Sequence, residues 1–86
     1  MPFSLEFHPQ FLRVFRKLDT SVRMEMEKKV DAIKQNPFRG KPLKGFFNYF
    51  AERSGVYRIL YYIEGDTVYF VSVFKRDAGY KHFTPK

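Results

Sequence analysis

The chain has 86 residues, with sixteen Lys and Arg against nine Asp and Glu, a formal net charge of +7. That length supports one modest core burying about 60–65% of the unfolded surface, and the charge calls for an anionic partner: nucleic acid, an anionic membrane surface or an acidic protein. No apolar run approaches the roughly 20 residues of a membrane span. The start, Met1-Pro2-Phe3-Ser4-Leu5-Glu6, lacks a basic flank before an apolar block, so no signal peptide is expected and a cytoplasmic location is. With no cysteine and two histidines, disulfides, thiolate sites and an ordinary zinc site are excluded, and no metal or cofactor is expected. Eleven Phe and six Tyr, with no Trp, put the core into large aromatic side chains.

In chain order, Phe3-Ser4-Leu5-Glu6-Phe7-His8 alternates with period two, which predicts a half-buried strand with Phe3, Leu5 and Phe7 inward. Pro9 closes it and can open a helix at its first turn, where Phe11, Leu12, Val14, Phe15 and Leu18 recur at helical spacing. Asp19-Thr20-Ser21 offers capping oxygens to a second helix whose buried stripe is Val22, Met26, Val30 and Ile33, ended by Asn36-Pro37. Two helices so closely linked are expected to form an antiparallel hairpin over one side of a sheet.

From Phe38 to Phe47, Arg39, Gly40, Lys41, Pro42, Lys44 and Gly45 make a basic, breaker-rich loop without an acidic residue. It feeds a strand from Asn48 to Arg53, a turn at Ser54-Gly55, a strong strand from Val56 to Glu64, and a last strand from Thr67 to Arg76. The result is a three-stranded antiparallel meander in an α+β domain. Arg58 and Arg76 share a sheet face only if the loop between their strands has an odd length. A three-residue Glu64-Gly65-Asp66 loop is therefore expected, with Arg58, Ser72, Phe74 and Arg76 on one side and Ile59, Tyr61, Ile63, Val71 and Val73 on the other. A two-residue Gly65-Asp66 loop without a compensating bulge would separate the arginines.

The order strand, two helices, basic loop and meander carrying Arg53-Ser54-Gly55-Val56-Tyr57-Arg58-Ile59-Leu60-Tyr61, then Lys75-Arg76 and Tyr80, resembles the RelE/ParE toxin family. The resemblance covers nearly the whole chain. Its most specific part is the Arg-x-Gly-x-Tyr-Arg-x-x-Tyr run combined with Arg76 and Tyr80 four residues apart. It implies a single RelE-like domain over residues 1–86, with one curved sheet and helices on one face.

The resemblance further implies a ribosome-dependent, metal-free endoribonuclease, an mRNA interferase that cuts the message in the A site. There the RNA's own 2′-hydroxyl attacks the adjacent phosphate, which requires a base, cations for the phosphorane charge and an acid for the leaving 5′-oxygen. On the same resemblance, Arg58 holds the phosphate, Arg76 stabilises charge or assists the leaving group, and Tyr80 stacks on or orients the nucleotide. Lys41, Lys44, Arg53, Lys75, Lys81 and His82 are the expected RNA-binding residues. A guanidinium suits this work because it stays charged and grips phosphate bidentately.

The chain departs from the best-known ribosome-dependent members where they carry lysines on the strand before the Tyr-Arg motif; here those positions are Tyr49 and Ala51. The base is thereby left open among Lys41, Lys44, Glu52 and His82. Expected partners are a cognate antitoxin protein, the ribosome and messenger RNA, with no membrane and with oligomers only through the antitoxin. Two other readings stand beside this one: a ParE-type inhibitor of DNA gyrase, and a non-catalytic RNA- or protein-binding module of the same fold.

Overall fold

Alternation at the N-terminus and in the last third of the chain produces strands, and the helical spacing between them produces two helices. The computed structural model describes residues 3–75. In chain order these form β1 (Ser4–Phe7), α1 (Pro9–Arg16), α2 (Thr20–Gln35), a 3-10 turn (Pro37–Arg39), β2 (Lys41–Pro42), β3 (Tyr49–Ser54), β4 (Tyr57–Glu64) and β5 (Thr67–Lys75). The sheet is mixed, in the order β1-β5-β4-β3-β2. β1 runs parallel to β5, and every other neighbouring pair is antiparallel. Among the described residues no helix is long and apolar enough to cross a membrane.

Pro9 enters α1 in its first turn, where a missing N–H costs nothing. α2 buries Met26, Val30 and Ile33 along the expected stripe, with Val22 half-buried against the same core. Asp19 stands at its N-cap in extended conformation, but its side chain makes no capping hydrogen bond, contrary to expectation. The helices cover one face of the sheet, and the core fills the gap with Phe11, Phe50, Ile59, Tyr61, Ile63, Val68, Phe70 and Val73. Leu5 and Phe3 pack against this core, while Phe7 sits at its rim with its ring stacked 4.9 Å from that of Phe70.

Three readings of the meander are corrected. The basic loop contains a strand, β2, whose two residues pair with Ala51 and Phe50; so short a segment carries no periodicity. The first turn is Gly55-Val56, with Ser54 opposite Tyr57, one residue later than expected. The second is the two-residue Gly65-Asp66 loop, with Glu64 opposite Thr67. Gly65 takes it at φ 62°, a left-handed conformation that a side chain would oppose. A bulge compensates: Leu60 faces Ser72 but Tyr61 faces Phe70, so Val71 is the extra residue. Val71 is therefore only half-buried, and Val68 and Phe70 take the core places on β5. Arg58 lies opposite Phe74, restoring the expected shared face with Ser72 and Phe74; Arg76 lies outside the described residues.

The centre of the core is Tyr61. Its ring is fully buried, stacked 5.7 Å from Phe50 and tilted against Phe70 at 5.8 Å. Its hydroxyl donates a 2.6 Å hydrogen bond to the carbonyl of Pro37, which ties β4 to the connector leaving α2. Gly40 passes directly over that hydroxyl: a Cβ there would run into Tyr61 Oη and stand 3.1 Å from the Ala51 carbonyl oxygen. Gly40→Ala is expected to cost about 1–3 kcal/mol by overpacking, and Tyr61→Phe about 1–2 kcal/mol by orphaning a buried acceptor. Because the two changes meet at one atom, the double variant should be more stable than the sum of the singles predicts, as read from urea unfolding midpoints.

Burial, followed by the Glu52 carboxylate, holds the Tyr61 phenol far above its ordinary value near 10. The folded state keeps a proton that the unfolded chain gives up, so this contribution is complete below about pH 10 and falls as pH rises beyond it. Unfolding midpoints should fall above pH 10, and less steeply in Tyr61→Phe.

Candidate nucleic-acid interface

Alternation along the strands sends one set of side chains into the core and the other to the face opposite the helices. On β3 the second set is Tyr49, Ala51 and Arg53, and on β4 it is Arg58, Leu60, Tyr62 and Glu64. The register sets Arg53 directly across from Arg58 and Ala51 across from Leu60. From the other side, β2 sets Lys41 across from Ala51. Three cations thus surround one methyl group, and Lys41, Ala51, Arg53 and Arg58 line a cavity of about 110 Å³. A second cavity of about 300 Å³ adjoins it, with Pro42, Leu43 and Phe46 as apolar wall and Lys41, Lys44 and Arg58 as cations.

Like charges directly opposed across a strand pair destabilise a sheet by a few tenths to about 1 kcal/mol. Arg53 facing Arg58 concentrates positive charge and suits a site that meets an anion. The two guanidiniums and the lysine can hold a phosphate by charge-assisted hydrogen bonds and share the negative charge that develops on it. Among the described residues, no group of three or more His, Cys, Asp or Glu is arranged to hold a metal.

Beside the cations runs a belt of tyrosines that the sequence reading missed. Tyr49, Tyr62 and Tyr69 lie across from one another on β3, β4 and β5, with ring centroids 5.0 and 4.8 Å apart. Phe46 continues the row beyond Tyr49 at 6.5 Å, and His8 approaches Tyr62 at 6.3 Å. Burial, then Tyr49, Glu64 and Tyr69, raise the Tyr62 phenol above its ordinary value. The alternation of each strand contained the signal, but aligning the rings required the strand register.

Of the expected RNA-binding residues, the structure brings Lys41, Lys44 and Arg53 together around Arg58. Lys75 does not join them: it pairs with Tyr57, whose side chain points to the opposite face from its neighbour Arg58. Glu52, a candidate base, also faces the helix side, where Arg39 Nη2 lies 3.4 Å from its Oε2. Arg76, Tyr80, Lys81 and His82 lie outside the described residues.

The chain matches a family model, described as the ParE toxin of the type II toxin-antitoxin system parDE, over residues 5–80. Among solved structures, the toxin of the intact RelBE toxin-antitoxin complex from E. coli is 29% identical at a TM-score of 0.75, covering 85% of this chain and 95% of that one. The complex RelBE2 from Mycobacterium tuberculosis matches at 28% identity and a TM-score of 0.78, over 88% of this chain and 100% of that one. The RelB-RelE complex from Methanococcus jannaschii matches at 26% identity and 0.69, over 92% and 99%. A search among curated proteins gave no match. With its helices on one face of a five-stranded mixed sheet and a family match spanning most of its length, the chain belongs to the RelE/ParE superfamily, the toxins of type II toxin-antitoxin systems.

Proposed function

We propose that this toxin is a ribosome-dependent endoribonuclease that cuts messenger RNA in the A site by 2′-hydroxyl attack on the adjacent phosphate. The observation that supports this most is the convergence of Lys41, Arg53 and Arg58 on one small cavity. Arg58 holds the scissile phosphate, and Arg53 opposite it takes up charge as the phosphorane forms. Lys41 adds a third positive charge to the phosphate contact. Arg76 and Tyr80 complete the catalytic set by resemblance, and Lys81 and His82 extend the RNA contact. The cytoplasm is where ribosomes and messages meet the protein.

The partner that restrains it is an antitoxin, as in the solved RelB-RelE complexes. An acidic, amphipathic segment suits a toxin with a net charge of +7. A second reading, inhibition of DNA gyrase, is favoured by the description of the matching family as ParE toxin and by Tyr49 and Ala51 at positions that are lysine in well-known ribosome-dependent members.

Primer extension on a message translated in the presence of the protein is expected to reveal new ends within A-site codons. Arg58→Ala should lower single-turnover cleavage about 100-fold or more, the scale on which removal of one charge-stabilising donor acts. Arg76→Ala and Tyr80→Phe should also reduce it. Undiminished cuts with Arg58→Ala would remove Arg58 from the site, and stalled supercoiling by gyrase with messages intact would replace this reading by the second. Lys41→Ala is expected to weaken ribosome binding and to reduce the slope of log affinity against log salt by about 1, as loss of one phosphate contact does.

A further inference from the structure

The loop between β2 and β3 carries an aromatic ring that neither the core nor the cationic cavity uses. Phe47 is 88% exposed, the most exposed large apolar side chain among the described residues. Its loop is held in one shape: Leu43 N–H donates to the Tyr49 carbonyl at 2.9 Å, Phe46 N–H to Leu43 at 3.2 Å, and Ile63 N–H on β4 to Asn48 at 3.1 Å. Gly45 at φ 85° and Asn48 at φ 63° bracket the two phenylalanines, and these left-handed residues turn the chain sharply on either side of them. Phe46 thereby joins the wall of the larger cationic cavity, and Phe47 stands out from the loop.

From the residues around it we infer that Phe47 is a stacking platform for an unpaired base of single-stranded RNA, adjacent to the nucleotide held at Arg58. This rests on the reading of the chain as an RNA-engaging toxin and adds a contact to it. Between Pro37 and Ala51 the sequence has three cations, Arg39, Lys41 and Lys44, and no acidic residue interrupts the segment. A phosphate backbone tracking Lys44, Lys41 and Arg58 would bring its bases past this loop, whose hydrogen-bonded backbone presents the exposed ring for stacking. A protruding ring also offers a face to a planar base, whereas an apolar protein anchor would call for a groove, and the groove lined by Phe7, Phe11, Leu12 and Phe15 lies on the helix side and has Glu27 and Asp31 at its edge.

The chain has no tryptophan, so Phe47→Trp introduces a single selective fluorophore at the site. With the full chain and an oligoadenylate of about six ribonucleotides, its emission is expected to be quenched on binding, and an abasic ribose-phosphate oligomer of the same length should leave it unquenched. Phe47→Ala and Phe47→Leu should both weaken oligoadenylate binding about 5- to 100-fold, the range of one stacked base. Neither should alter affinity for the abasic oligomer or the salt slope, which phosphate contacts set. Equal oligoadenylate affinity for wild type and Phe47→Ala overturns the proposal, as does quenching by the abasic oligomer to the same extent. Retention by Phe47→Leu with loss only in Phe47→Ala also overturns it, because that pattern marks apolar contact, not stacking. The two readings separate cleanly: a wild type that cuts no message, with base-dependent quenching in Phe47→Trp, defeats the nuclease alone, and a cutting wild type matched by Phe47→Ala in both cleavage and oligoadenylate affinity defeats this proposal alone.

Discussion

The hydrogen bond from the Tyr61 hydroxyl to the Pro37 carbonyl joins the two halves of this fold. A buried acceptor at the end of α2 and a buried phenol in the middle of β4 would each lose solvation without compensation, and together they satisfy one another at 2.6 Å. The bond fixes where the chain leaves α2, and the close passage of Gly40 over the same hydroxyl fixes where it goes next. The residue after Gly40 is Lys41, whose pairing with Ala51 brings its charge to the opposite face of the sheet. A core contact on the helix side thereby determines the position of a cation on the other.

The two faces answer to different demands. The helix side is aromatic and aliphatic, with Phe11, Phe50, Tyr61 and Phe70 in mutual ring contact. On the far side, charge is graded along the strands: Arg53, Arg58 and Lys41 gather at one end, tyrosines hold the middle with Glu6 beside Tyr69, and Glu64 stands at the other end, across from Thr67. A sheet selected for stability alone would not oppose two arginines. Such a gradient suits the proposed RNA substrate, whose phosphates would face the arginines and whose bases would face the aromatic rings.

Period-two and helical spacing made the strands, the buried stripe of α2 and the choice of core face legible, because each rests on neighbours a few residues away in sequence. Register was another matter. Moving the two-residue turn from Ser54-Gly55 to Gly55-Val56 shifts the β3–β4 pairing by two residues, which keeps every side chain on its face and changes the partner of Arg58 from Ala51 to Arg53. The face of Arg58 was therefore readable from the sequence, and its opposition to Arg53 was not. The bulge at Val71 hides for a similar reason: with valines, a serine and phenylalanines on both sides, either parity of β5 buries an apolar set, and packing against Phe11 and Tyr61 makes the choice. β2, two residues long, has no pattern to read and takes its place from the connector that Tyr61 anchors.

This dependence also bears on Ala51, one of the positions where the resemblance calls for lysine. A lysine there would bring its charge to the centre of the face opposite the helices. Here the small side chain leaves that centre open, and Lys41, directly across from it on β2, supplies a charge from the neighbouring strand. The substitution thus moves a cation by one strand without removing it from the cavity. Tyr49 has no such replacement opposite it: its cross-strand partner is Tyr62, and the two rings lie tilted at 5.0 Å as part of the aromatic belt. One departure from the family pattern keeps a positive charge at the cavity, and the other exchanges charge for ring surface, so on the proposed reading the site would rely less on electrostatic attraction and more on stacking.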